Sequence, residues 1–232
     1  MNREIIIIGG MTGWGKTLWT KVYSSHARRM LVFDPTISYP RVGYDNANHG
    51  LDEFLESIDG FSLFEEEDIR REFRVGTSNP ERVSQLGGAA FVTGNNLLVL
   101  EEASMLFEKG QRRLEPWLSR IVFLGRHQRC SVCVLAQRFM SIPIDIRSQA
   151  SRVVTFNQHE EDDVSYLQSV FGKEDSKRIN SLPKFMCLDR CGIETFEYSI
   201  VDLVKKDLGI ELDRGKEEEY TSYYRNSPHV RK

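Results

Sequence analysis

The chain has 232 residues, 40% hydrophobic and 28% charged, with a formal net charge of −3. That length suits one substantial α/β domain and is short for two, and the charge balance excludes a strongly basic, free-standing nucleic-acid module. No apolar run approaches the roughly 20 residues that span a bilayer, and the first one is too short for a signal peptide, so a cytoplasmic protein is expected.

Residues 5–8, four isoleucines, are a continuous apolar run, as in a strand buried on both faces of a parallel sheet. A glycine-rich turn follows, then a helix expected over 16–29. "MLVFDP" at 30–35 is a second strand stopped by proline, and 36–50 read as loop. "LDEFLESI" has helical spacing, and the acidic run 65–68 suits a solvated helix face. "EFRVG" predicts a short strand, and residues 80–94 a helix opened by Pro80 in its first turn. "NNLLVLEEAS" predicts a buried strand that ends in two carboxylates. In residues 116–127, Trp117, Leu118, Ile121 and Val122 fall at helical spacing. Residues 130–137 and 151–157 are two further strands, 160–172 and 173–182 two helices, and 184–200 a hairpin. Residues 213–232 are charged and tyrosine-rich with no apolar period, as in an arm or disordered tail, leaving 1–212 as one domain. Strands alternating with helices predict an α/β fold, a sandwich with a mainly parallel central sheet plus the C-terminal β-hairpin.

The four cysteines form C-x2-C (Cys130, Cys133) and C-x3-C (Cys187, Cys191) pairs, superficially like zinc ligands. Residues three apart on a strand face opposite sides, so Cys130 and Cys133 cannot share a metal. Cys187 and Cys191 flank the expected hairpin turn. Reduced cysteines serving as small core residues are expected.

Gly10-x4-Gly15-Lys16-Thr17 fits the phosphate-loop pattern G-x-x-x-x-G-K-[ST]. Glycines let the backbone curl so that its N–H groups point at phosphate oxygens, and the following helix N-terminus adds partial positive charge. Gly10, Met11, Thr12, Gly13, Trp14, Gly15, Lys16, Thr17 and Leu18 are therefore expected around the phosphates of ATP. Lys16 would reach the β- and γ-phosphates and the Thr17 hydroxyl would bind Mg2+. Trp14 is expected to project toward a subunit interface or the base.

Glu101 and Glu102 follow four apolar residues and should emerge at the C-terminal edge of the sheet, where α/β sheets bind ligands. One carboxylate must hold the magnesium shell, and an adjacent one can deprotonate the attacking water. We assign Glu101 to the metal and Glu102 to water. The pair favours hydrolysis over a kinase or GTP switch, and no arginine-rich lid is evident.

Residues 119–156, with an arginine-bearing helix, a buried strand ending in Gln137-Arg138 and a loop with "IP", resemble the FtsK–HerA superfamily of ring-forming DNA-pumping P-loop ATPases. "VFDP" resembles that superfamily's second strand. Compact members include the genome-packaging ATPases of membrane-containing, tailless icosahedral viruses. The resemblance implies a RecA/ASCE-like P-loop NTPase fold and a homo-oligomeric, hexameric or pentameric ring acting on double-stranded DNA. It implies that Gln137 senses the γ-phosphate and that Arg120 or Arg126 is a finger into the neighbouring subunit's site. Glu101 departs from the pattern, where aspartate is more usual. Lys109, Arg112 and Arg113, in "FEKGQRRLEP", are DNA-phosphate contacts in this reading, or simply a solvated basic loop. The chain looks like a bare motor in host cytoplasm or at a virion vertex, with a capsid-vertex or membrane-associated packaging protein as a further partner. The alternatives are a HerA-like or conjugation-type translocase, a non-hydrolysing ATP-binding scaffold, and a small-molecule kinase.

Overall fold

The computed structural model describes residues 3–44, 50–62, 65–107 and 114–208. Lys109, Arg112, Arg113 and the 213–232 arm lie outside the described residues. In chain order the elements are β1 (Ile5–Gly9), α1 (Lys16–Ser24), β2 (Arg29–Phe33), β3 (Gly43–Tyr44), α2 (Gly50–Ser57), α3 (Glu66–Arg70), β4 (Phe73–Thr77), α4 (Val83–Thr93) and β5 (Leu97–Leu100). There follow α5 (Pro116–Gln128), β6 (Ser131–Ala136), α6 (Ile144–Gln149), β7 (Arg152–Thr155), α7 (Glu161–Ser176), β8 (Met186–Cys191), β9 (Glu194–Ser199) and α8 (Ile200–Leu208).

Among the described residues the strands form one sheet in the order β3-β4-β2-β5-β6-β1-β7-β8-β9. Pairing is parallel from β3 to β7, and β8 and β9 add antiparallel. The isoleucine run alternates between two apolar layers, Ile5 and Ile7 in one and Ile6 and Ile8 in the other. A parallel strand covered by helices on both faces requires this continuous apolar sequence. Cys130 and Cys133 fall in opposite layers, as strand alternation demands.

Several expectations need correction. The first helix stops at Ser24, not residue 29. Ser24 and Ser25 hydroxyls donate back to the carbonyls of Lys21 and Val22, an arrangement that competes with helix continuation. Arg29 instead opens β2, its guanidinium buried and donating to the carbonyls of Asp68 and Thr93. Cys191 ends β8 directly before the hairpin turn, but Cys187 lies inside the same strand, opposite Tyr198, rather than across the turn; Cys191 is exposed, whereas the other three cysteines are buried. The helices expected over 160–172 and 173–182 meet inside α7, where Gly172 takes the non-helical φ of 83°. The short α6 and β3 lie in segments read as loops. Helix α8 follows the hairpin directly and buries Ile200, Val201 and Val204. No helix among the described residues is long and apolar enough to cross a membrane.

Candidate nucleotide site

The strand registers decide what meets at the C-terminal edge of the sheet. Gly9 of β1 pairs with Ala136 of β6, Leu100 of β5 with Val134 of β6, and Phe33 of β2 with Leu100. The residues that leave these strands, Gly10, Gln137, Glu101 and Asp34, therefore emerge along one edge. Sequence separations of up to 127 residues collapse here because parallel strands all end on the same side.

Gly10 has φ 145° and Gly15 φ 110°, values side chains rarely adopt, and a Cβ on Gly10 would lie 2.6 Å from that of Phe156. The loop thus wraps closely over the end of β7. Its outer part, Met11 to Gly13, is exposed, while Leu18 is buried in the core. Asn157, just beyond β7, ties the loop down by accepting from the Met11 N–H at 3.1 Å. Lys16 is buried, and its Nζ donates to the carbonyls of Gly10 (2.7 Å) and Met11 (3.0 Å). Burial lowers its pKa, and the charges of Glu102 and Glu101 oppose that shift. The ammonium therefore sits at the mouth of the loop with both carboxylates in electrostatic range.

Glu101 is 5% exposed and accepts from the Thr17 hydroxyl (3.1 Å) and the Tyr39 hydroxyl (2.6 Å). Burial pushes its pKa up to about 7; the Tyr39 bond resists this, and the charge of Asp34 adds to it. The two hard oxygen donors, Thr17 Oγ1 and Glu101 Oε2, fit Mg2+, whose neighbouring ligands sit about 2.9 Å apart in an octahedron. Glu102 is half-buried with φ 50° and ψ 62°, a left-handed conformation that is costly for a residue with a side chain. This turn separates the two carboxylates, and Glu102 Oε2 lies 3.5 Å from Gln137 Nε2. Gln137 follows β6, the strand beside β5, and is exposed. Its backbone carbonyl accepts from the buried Gln158 at 2.7 Å.

Lys16, Thr17, Glu101, Glu102 and Gln137 are thus brought together, and the two arginines are not. Arg120 and Arg126 are exposed and lie off the buried stripe of Leu118, Ile121, Val122 and Gly125. Arg126 is in the last turn of α5, which leads into the N-terminal end of β6, so it sits at the opposite edge of the sheet from its own phosphate loop. Trp14 is half-buried, one side packed against the core layer that includes Ile200 and Val204, where α8 lies over the loop's helix. Sequence reasoning missed Tyr39, Tyr44 and Asn157. For Asp34 the one available signal is the resemblance of "VFDP" to the FtsK–HerA superfamily's second strand.

The sequence matches no protein-family model and no curated protein. By structure it is similar to the genome-packaging NTPase B204 from Sulfolobus turreted icosahedral virus 2 in complex with ATP-γ-S. The TM-score is 0.66 at 15% identity, covering 86% of this chain and 98% of that one. It is also similar to B204, the DNA-packaging ATPase from Sulfolobus turreted icosahedral virus (TM-score 0.61, 16% identity, 86% and 98% covered). A third similar structure is the pCW3 conjugation coupling protein TcpA (TM-score 0.51, 14% identity, 85% of this chain, 60% of TcpA). With a phosphate loop on a central parallel strand and β6 between it and the strand carrying the paired carboxylates, the chain has the P-loop NTPase fold seen in these packaging and conjugation ATPases.

Proposed function

We propose that the chain is an ATP-hydrolysing motor subunit that forms a ring and moves double-stranded DNA, with viral genome packaging as its setting. One observation carries this reading: a phosphate-loop lysine, a buried carboxylate beside Thr17, a second carboxylate and an amide all share one sheet edge. Lys16 would hold the β- and γ-phosphates, and the loop N–H groups would orient them. Thr17 and Glu101 would hold Mg2+, which neutralises phosphate charge when bound. Glu102 would orient and deprotonate the attacking water, and Gln137, within reach of the same carboxylate, would register the γ-phosphate.

A finger must come from elsewhere, since Arg126 stands at the far edge of its own sheet. Arg126 or Arg120 supplied by a neighbouring copy suits a ring. Lys109, Arg112 and Arg113 keep their proposed role as DNA-phosphate contacts. Packaging is preferred to conjugation because the similarity spans nearly all of B204 but 60% of TcpA.

The test is ATP turnover with and without double-stranded DNA, together with native mass. Lys16→Ala should abolish turnover, and Glu102→Gln should abolish it while ATP still binds. Mixing Arg126→Ala or Arg120→Ala subunits with Lys16→Ala subunits should restore some activity. A monomer whose turnover ignores DNA would defeat the motor reading.

A further inference from the structure

We infer that Tyr39, in the segment between β2 and β3, is a positioning residue for the Glu101 carboxylate, an inference that rests on the ATPase reading. Tyr39 is 4% exposed, and its hydroxyl donates to Glu101 Oε1 at 2.6 Å while Thr17 donates to Oε2. The two oxygens of one carboxylate thus have different partners. Tyr39 fixes the rotation of the group, and Oε2 is the oxygen presented beside Thr17.

Tyr39 is itself fixed. Its backbone N–H donates to the Tyr44 hydroxyl at 3.4 Å, and that hydroxyl donates to Asp34 Oδ2 at 2.9 Å. Asp34 also accepts from the Thr36 N–H (2.9 Å), the Thr36 hydroxyl (2.6 Å) and the Ser38 N–H. The Lys21 ammonium lies 5.5 Å from the centre of the Tyr39 ring. Asp34 and Glu101 are the first residues beyond paired strand ends, Phe33 and Leu100, so the whole chain of bonds is anchored on the sheet. Ile37 and Arg41, at φ 51° and 59°, bend the segment so that Tyr39 points inward.

This accounts for the glutamate at 101. An aspartate is one methylene shorter and would draw its oxygens back from the Tyr39 hydroxyl. The longer side chain and the tyrosine work as a pair, and a carboxylate held by such a bond typically owes it about 10- to 100-fold in metal affinity or activity.

The experiment titrates Mn2+ by electron paramagnetic resonance in the full chain with the non-hydrolysable analogue AMPPCP, alongside ATP turnover with Mg2+. Tyr39→Phe should raise the Mn2+ Kd and lower kcat by about tenfold, with the nucleotide KM changed less than about twofold. In a Glu101→Asp background, Tyr39→Phe should change either quantity by less than about twofold, because the bond is already lost. Wild-type behaviour of Tyr39→Phe overturns the inference, and so does an equal loss in both backgrounds, which would mark a general packing defect. Should Tyr39→Phe fail to fold, Tyr44→Phe keeps the Tyr39 hydroxyl but frees its anchor, and about a threefold rise in the Mn2+ Kd is expected. An unchanged affinity there overturns the inference. A wild-type chain that neither hydrolyses ATP nor binds Mn2+ with AMPPCP removes the ATPase reading and the inference with it. A working wild type beside an unaffected Tyr39→Phe removes the inference alone.

Discussion

Two buried carboxylates, Glu101 just beyond β5 in the middle of the sheet and Asp189 on the antiparallel β8, are each touched by a tyrosine hydroxyl. Asp189, on β8, accepts from two of the three Arg152 guanidinium nitrogens (Nε 2.9 Å, Nη2 2.6 Å) and from the Tyr198 hydroxyl. The Arg152 guanidinium stacks on Trp19 and Tyr23, and the Trp19 indole donates to the Tyr198 oxygen at 2.8 Å. Burial would lower the Arg152 pKa, yet the bond and charge of Asp189 outweigh it and hold the pKa above its ordinary value. Glu101 is as deeply buried, and its direct donors are two hydroxyls, Thr17 and Tyr39. Burial leaves it with a raised pKa. A carboxylate that carries its own fixed cation is a fastening. One that is desolvated and held by hydroxyls gains most from a cation that arrives.

This contrast is testable from both sides, beginning with turnover. Glu101→Gln should lower ATP hydrolysis by about 10²- to 10³-fold, whereas Asp189→Asn should leave turnover per folded molecule within about twofold. Similar losses in both variants would erase the distinction.

Stability should invert the order. Asp189→Asn leaves Arg152 without its counter-charge and should cost about 2–4 kcal/mol in denaturant unfolding, the lower bound reflecting the partial exposure of Arg152.

For Glu101 the sign is opposite. Its folded pKa of about 7 lies above the ordinary value of 4.5, so the folded state binds the proton more tightly. The penalty is absent below pH 4.5, grows as pH rises between the two values, and is complete above pH 7. Glu101→Gln should therefore stabilise the nucleotide-free protein by roughly 1–3 kcal/mol at pH 8 and flatten the pH dependence below 7. A stability that rises with pH through that window in the wild type, unchanged in Glu101→Gln, would contradict the assignment.

The smallest effect belongs to Tyr198→Phe. It removes one of three donors to Asp189 and the acceptor for the Trp19 indole, so about 1–2 kcal/mol of stability should be lost with turnover untouched. Thermal unfolding beside an ATPase assay checks it.

Much of the site was legible because its parts are local in sequence. The loop from Gly10 to Thr17 follows a run of four isoleucines, and Glu101 and Glu102 follow four apolar residues. A run that must be buried on both faces is a strand, and a strand in a parallel sheet presents its C-terminal residues at the ligand edge. Gln137 was reached through the resemblance, and its place beside Glu102 follows from β6 lying next to β5. Arg29 and Cys187 were misplaced because helix ends and hairpin turns depend on serine back-bonds and on which residue takes the turn, weak signals in sequence.

The sequence alone thus determined the strand-loop-helix of the phosphate-loop pattern, the paired carboxylates, and the two-layer α/β arrangement, since each follows from short-range geometry and hydrophobic period. Tertiary structure alone decided that Tyr39 reaches Glu101 across 62 positions and that Arg126 sits at the opposite edge of the sheet from its own phosphate loop. It also decided that Trp14 leans on a core closed by α8. Those outcomes turn on strand order and register, which bring distant residues together through backbone pairing that no local pattern encodes.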